Sequence, residues 1–178
     1  MALVVHKYGG TSVSNLEKIR KVAKKVVTAH NAGDHVIVVV SAMAGETDRL
    51  LKMAHQISSE PDQRELDLLL SSGERISASL LSMAIQSMGH KAISLTGRQV
   101  GIITDSAHFR ARIRKITADR LKEAIENGIT PVVAGFQGIS ERGDVTTLGR
   151  GGSDITAVAL ASALKAERCI IYKDDVDG

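Results

Sequence analysis

Apolar, β-branched runs alternate with stretches of helical period along the whole chain. Leu3-Val4-Val5 and Val36-Ile37-Val38-Val39-Val40 are continuous apolar runs, without the polar residue at every second place that a half-exposed strand shows. Such runs fit strands covered on both faces, the condition of a parallel sheet. Between them Leu16, Ile19, Val22, Val26 and Val27 recur at helical spacing. That spacing predicts an amphipathic helix starting at a capping box, Ser14-Asn15-Leu16-Glu17, and stopping near Gly33. Residues 46–58 and 75–88 read as helices, 92–95 as a strand, and 102–103 as a short strand or turn. Thr117 is placed to cap a helix over 118–127 that ends at Gly128. Residues 131–134 read as a strand with Pro131 at its start, where a missing N–H costs least. A helix over 153–165 and a strand over 169–172 complete the series.

This order predicts an α/β fold, a three-layer α/β/α sandwich with a largely parallel sheet, and residues 1–178 as one domain without an internal boundary. In such sheets ligands sit beyond the carboxyl ends of the strands, so the loops that follow strands are the places to seek chemistry.

Four loops carry suitable residues. Lys7-Tyr8-Gly9-Gly10-Thr11-Ser12 follows the first strand: paired glycines let N–H groups face an anion, Thr11 and Ser12 add hydroxyls, and Lys7 adds a compact positive charge. Neither the G-x-x-x-x-G-K-[ST] nor the G-x-G-x-x-G spacing is present. Ser41 to Asp48, including Thr47, follows the second long strand, where its small residues and hydroxyls suit a polar ligand or a helix cap. Ser71-Ser72-Gly73-Glu74-Arg75 lies between two helical patterns. A carboxylate there is a surface group compensating a helix dipole unless the ligand carries an ammonium. Last comes Leu148-Gly149-Arg150-Gly151-Gly152-Ser153-Asp154, where a planar guanidinium sits among three glycines at a helix start. Capping explains Ser153 or Asp154 but not the glycines, each of which costs about 0.5–1 kcal/mol of backbone entropy.

Composition narrows the function. Apolar residues make 43% of the 178, charged residues 24%, and no apolar run approaches the roughly 20 residues of a membrane span. The first residues read as a first strand and not as a secretion signal, so the cytoplasm is the expected location. The net charge of +3 invites a nucleic-acid reading, but aromatic residues make only 2% and tryptophan is absent, leaving no stacking platform for bases. The basic run Lys18 to Lys25 reads as the solvated face of an amphipathic helix. The second run, His108 to Lys115, reads equally as the lining of an anion's path or as an exposed connection. Cys169, the single cysteine, sits in Cys-Ile-Ile-Tyr and reads as a buried small hydrophobe.

Taken in order, Lys7-Tyr-Gly-Gly-Thr-Ser12, Val40-Ser-Ala-Met-Ala-Gly-Glu-Thr47, Ser72-Gly-Glu74, Thr104-Asp-Ser-Ala-His108, Ala134-Gly-Phe-Gln-Gly138 and Thr146-Thr-Leu-Gly-Arg-Gly-Gly-Ser-Asp154 resemble the catalytic domain of the aspartate kinases, within the amino-acid kinase superfamily. The resemblance implies transfer of the γ-phosphoryl of ATP to the β-carboxylate of L-aspartate, the first step toward lysine, threonine and methionine, with Mg2+ held mainly through the nucleotide phosphates and no protein metal site. It implies that Lys7 neutralises charge on the moving phosphoryl, with Gly9, Gly10, Thr11 and Ser12 around the phosphates. Arg150 takes the α-carboxylate, Glu74 the α-ammonium, and Thr47 offers a hydroxyl, with Ser41 and Ser153 beside the substrate. Asp154 organises Lys7 and the reacting groups. Lys173, Asp174 and Asp175 fall in the family's nucleotide segment, with one aspartate more than its pattern. The resemblance further implies that the rest of the nucleotide-binding half and the regulatory ACT domains are missing from these residues, and that the full-length parent is a homo-oligomer. The edge beside 169–172 is expected to be open. Two other readings stay open: another amino-acid kinase, and a non-catalytic aspartate-binding or assembly fragment.

Overall fold

The computed structural model describes residues 1–173. Its elements run β1 (Leu3–Tyr8), α1 (Leu16–Asn31), β2 (His35–Val40), α2 (Glu46–Ile57), α3 (Gln63–Leu70), α4 (Ser72–Ser87), β3 (Ala92–Leu95), α5 (Gly97–Val100), β4 (Ile102–Thr104), β5 (Ile113–Ile116), α6 (Asp119–Glu126), β6 (Thr130–Ala134), β7 (Gln137–Ser140), β8 (Val145–Thr147), α7 (Gly152–Ala163) and β9 (Arg168–Tyr172). Five strands form one parallel sheet in the order β3-β6-β2-β1-β9. A smaller sheet, β5-β4-β7-β8, mixes directions.

The continuous apolar runs have the cause the sequence suggests. Val36, Val38 and Val40 of β2 pack with Ile19, Val22 and Val26 of α1 and Leu81 and Ile85 of α4. Ile37 and Val39 point the other way, toward Val100, Leu121, Ala157 and Leu160 of α5, α6 and α7. Both faces of the strand are therefore apolar because each has its own helical layer, the arrangement of a three-layer sandwich.

Several local expectations are corrected. Ser14 does not cap α1: its backbone is helical (φ −69°, ψ −16°), whereas Asn15 is extended and its side chain accepts the Lys18 N–H at 2.9 Å. Thr117 does not cap α6 either, because Ala118 holds the cap position in a left-handed conformation with no side-chain bond. Pro131 is the second residue of β6, one place before the ladder to β2 begins at Val38 and Val132, so its missing N–H interrupts no pair on that side. Cys169 is exposed, because β9 is the margin of the sheet among the described residues and pairs there with β1 alone. That open margin agrees with the expectation drawn from the sequence. The Ser71–Arg75 stretch is no loop: α3 ends at Leu70 and α4 begins at Ser72.

Candidate active site

The C-terminal ends of β1 and β2 meet the N-terminal end of α7 around a cavity of about 230 Å3. Lys7, the fifth residue of β1, is only 6% exposed and reaches along the strand so that its Nζ lies 2.7 Å from Asp154 Oδ1 in the first turn of α7. A buried ammonium needs such a partner. Asp154 is itself one-third exposed, which leaves the pair open to a ligand on one side.

The glycines around this pair answer to particular contacts. A Cβ on Gly10 would lie 2.8 Å from the Ala42 carbonyl oxygen, so β1 and the 41–45 loop close on each other only with glycine there. Gly149 and Gly151 take φ of +79° and +70°, the left-handed region that side chains resist. A Cβ on Gly152 would stand 2.6 Å from the Phe136 ring. Two of the three glycines thus supply a turn and the third a close approach. Gly149, Gly151, Gly152 and Ser153 all line the cavity.

Glu74 also lines the cavity. Set in the first turn of α4 and 3% exposed, it accepts the Ala42 N–H at 3.2 Å through one carboxyl oxygen, while Oε2 is buried without a partner. Burial pushes its pKa up to about 7, against the opposing pull of backbone hydrogen bonds and the nearby Arg75 charge. A half-satisfied carboxylate on a cavity wall suits a ligand that donates protons and carries positive charge. The surface dipole role is corrected accordingly: Glu74 turns inward because α4 starts directly behind α3, and Gly73 lets that turn press on Ala42.

The remaining candidates divide. Ser41 and Thr47 line the cavity, and Thr47 is not a helix cap, since Gly45 precedes α2 in a left-handed conformation. Gly9, Gly10, Thr11 and Ser12 do not line it: Gly9 adjoins Lys7 and Gly10 adjoins Ala42, while Thr11 and Ser12 lie in a short 3-10 turn with Ser12 buried and Thr11 exposed. The Gly9 amide faces the Tyr172 carbonyl at the long distance of 3.4 Å. Arg150 is exposed and its side chain does not line the cavity, because it sits at the corner between two left-handed glycines. Lys173 is exposed beyond the end of β9. Asp174 and Asp175 lie outside the described residues. Among the described residues no group of three His, Cys, Asp or Glu side chains is placed to hold a metal ion.

Two groups escaped the sequence reading. Phe136, with φ +73°, lines the cavity and is held by its N–H to Thr156 Oγ1 at 3.1 Å, while the same hydroxyl donates to the Gly152 carbonyl at 2.8 Å. The Gly-Phe-Gln-Gly stretch directly after a strand was its only signal. Asp67 of α3 is fully buried and gathers the Thr147 hydroxyl at 2.6 Å, the Thr147 and Phe109 amides, and His108 Nδ1 at 2.7 Å. It thereby anchors the end of β8 from which the glycine loop departs, and nothing in a helix of leucines and acids announced it.

The chain matches the amino acid kinase family model over residues 2–178. It is 56% identical to an aspartate kinase of Stutzerimonas stutzeri over its whole length and 52% identical to an aspartokinase of Geobacillus stearothermophilus over 98% of it. In both cases it spans 43% of the relative's length. Among solved structures it resembles the aspartate kinase of Synechocystis, with 50% identity, a TM-score of 0.85, and coverage of 97% of this chain and 28% of that one. It also resembles E. coli aspartokinase III in complex with aspartate and ADP, with 27% identity, a TM-score of 0.82, and coverage of 97% and 49%. A carbamate kinase of Giardia, at 14% identity and a TM-score of 0.76 over 99% of this chain and 74% of that one, shares the fold. The chain belongs to the amino acid kinase family.

Proposed function

We propose that this chain carries the acceptor site of an aspartate kinase, with L-aspartate in the Glu74 cavity and its β-carboxylate directed toward Lys7. The observation that carries this reading is one cavity lined both by a buried cation and by a half-satisfied acid. Aspartate presents two carboxylates and one ammonium, and the ammonium suits Glu74 Oε2. Thr47, Ser41 and Ser153 offer hydroxyls around the substrate. Arg150 meets the α-carboxylate by swinging inward on its glycine corner, an induced movement that the flanking left-handed residues permit.

The donor in this reading is ATP, which supplies the phosphoryl group when bound. Lys7 neutralises the charge gathering on the transferring oxygens, and Asp154 holds the ammonium in place for that task. Mg2+ would be held mainly through the nucleotide phosphates, where it would offset their charge, and Asp154, one-third exposed beside Lys7, is the carboxylate on this chain that could face it. Gly9, where an added Cβ would stand 3.5 Å from Lys7 Nζ, keeps the space beside that ammonium open for phosphate oxygens, and Lys173 stands beyond the adjacent strand. No separate protein nucleophile is needed for in-line transfer to a carboxylate. We further propose that residues 1–178 act as one domain, that the parent is a homo-oligomer, and that it works in the cytoplasm on small molecules, without nucleic acid or membrane as a partner.

Aspartyl hydroxamate formation from ATP tests the reading in the complete parent protein, with Arg150→Ala and Lys7→Met beside the parent sequence. Turnover that falls at least a hundredfold in Lys7→Met, with aspartate KM raised in Arg150→Ala, is the expected result. Undiminished turnover in both contradicts it.

A further inference from the structure

A second cavity, also of about 230 Å3, lies at the C-terminal ends of β3 and β6. It is smaller than the roughly 300–1,000 Å3 pockets that enclose drug-sized ligands, so it suits a small ion. Its position beyond strand ends of a parallel sheet is where ligands of open α/β folds bind. We propose that this cavity is a binding site for a small oxyanion, of phosphate or carboxylate chemistry, gripped by Arg75 and the hydroxyls of Ser79 and Ser94.

Arg75 carries the argument. It follows Glu74 in α4 but lines the other cavity. It is half-buried, and a half-buried guanidinium is normally paired. Here it has no ion pair among the described residues. Its Nε is buried without an acceptor, and its one hydrogen bond, Nη2 to Ser71 Oγ, is stretched to 3.5 Å. No carboxylate lines the cavity. The polar groups that do line it can donate: Ser79 and Ser94 hold hydroxyls there, the Thr96 hydroxyl accepts the Gln99 N–H at 3.3 Å and keeps its own proton, and Gln99 spends its Oε1 on the Thr96 N–H at 3.0 Å, leaving its amide N–H groups. A planar fork with adjacent hydroxyls and no competing acid matches a carboxylate or phosphate in charge and geometry. The site shares no lining residue with the proposed aspartate cavity and does not depend on that reading; the Arg75 charge reaches Glu74 electrostatically, but Glu74 is no part of this cavity's wall.

Amide and arginine side-chain NMR of the chain, titrated with inorganic phosphate and separately with acetate at constant ionic strength, tests the proposal. The expected result is saturable shifts at Arg75 Nε–H and at the Thr96 to Gln99 amides with at least one of the two ions; which ion saturates identifies the ligand chemistry. Arg75→Gln is expected to weaken that binding at least tenfold. Ser79→Leu, which fills the cavity and leaves the charge, does the same and decides the matter should Arg75→Gln fail to fold. Glu74→Gln, which removes a neighbouring negative charge but no lining residue, does not weaken that binding. Shifts that never saturate, shifts confined to Lys7 and residues 149–154, or binding that survives Ser79→Leu would overturn the proposal.

Discussion

Glu74 and Arg75 are neighbours in one helical turn, yet they serve two cavities of equal size with opposite character. In the Glu74 cavity Lys7 already has Asp154 as its ion-pair partner at 2.7 Å, so the Glu74 carboxyl, with one oxygen unmet, has no cation of its own there. The Arg75 cavity holds a cation and no acid. Burial alone would neutralise or exclude such groups. The charge each cavity leaves unpaired is the ground for the ligand proposed for it: an ammonium in the first, an oxyanion in the second.

The largest expected effect comes from removing the acid. Glu74→Gln keeps the size and the contact to the Ala42 amide but gives up the charge, and is expected to weaken aspartate binding about a hundredfold, the loss of roughly 2–3 kcal/mol typical of a charged hydrogen bond. Calorimetric titration checks it. The same carboxyl makes stability depend on pH. Its folded pKa near 7 lies above the ordinary carboxylate value, so between about pH 4.5 and 7 the folded state holds a proton that the unfolded state has lost. Stability therefore falls as pH rises through that window, by up to about 3 kcal/mol, and Glu74→Gln removes that component. Urea denaturation at pH 5 and pH 8 measures the slope. Aspartate affinity runs the other way, rising with pH as Glu74 ionises.

Gly152→Ala comes next. The added methyl meets the Phe136 ring at 2.6 Å, and a loss of about 1–3 kcal/mol is expected in denaturant unfolding, with weakened aspartate binding because Phe136 lines the same cavity. Smallest is the cap of α1: Asn15→Ala is expected to cost about 1 kcal/mol and Ser14→Ala much less, since only Asn15 accepts a helix N–H there.

What was legible in the sequence followed from long-range regularity. The β2 run Val36 to Val40 requires cover on both faces, and it has it. The glycines at 149, 151 and 152 announced a site because each departs from ordinary packing. The second sheet was less legible, since β4, β7 and β8 hold three or four residues each, too few for a period to emerge. Caps were misplaced by one residue because Ser14 and Asn15 are both good caps and only the backbone angles choose between them. Glu74 could be named but not oriented, for its inward turn depends on α3 running into α4. Arg150 is the converse, prominent in sequence yet exposed at a corner outside the cavity.

The most direct test of the central claim compares L-aspartate with succinate, the same dicarboxylate without the ammonium, by calorimetric titration into the chain at pH 8. The Glu74 account predicts that aspartate binds at least tenfold more tightly and that Glu74→Gln erases the difference. Equal binding of the two ligands, or a preference that survives Glu74→Gln, would contradict it.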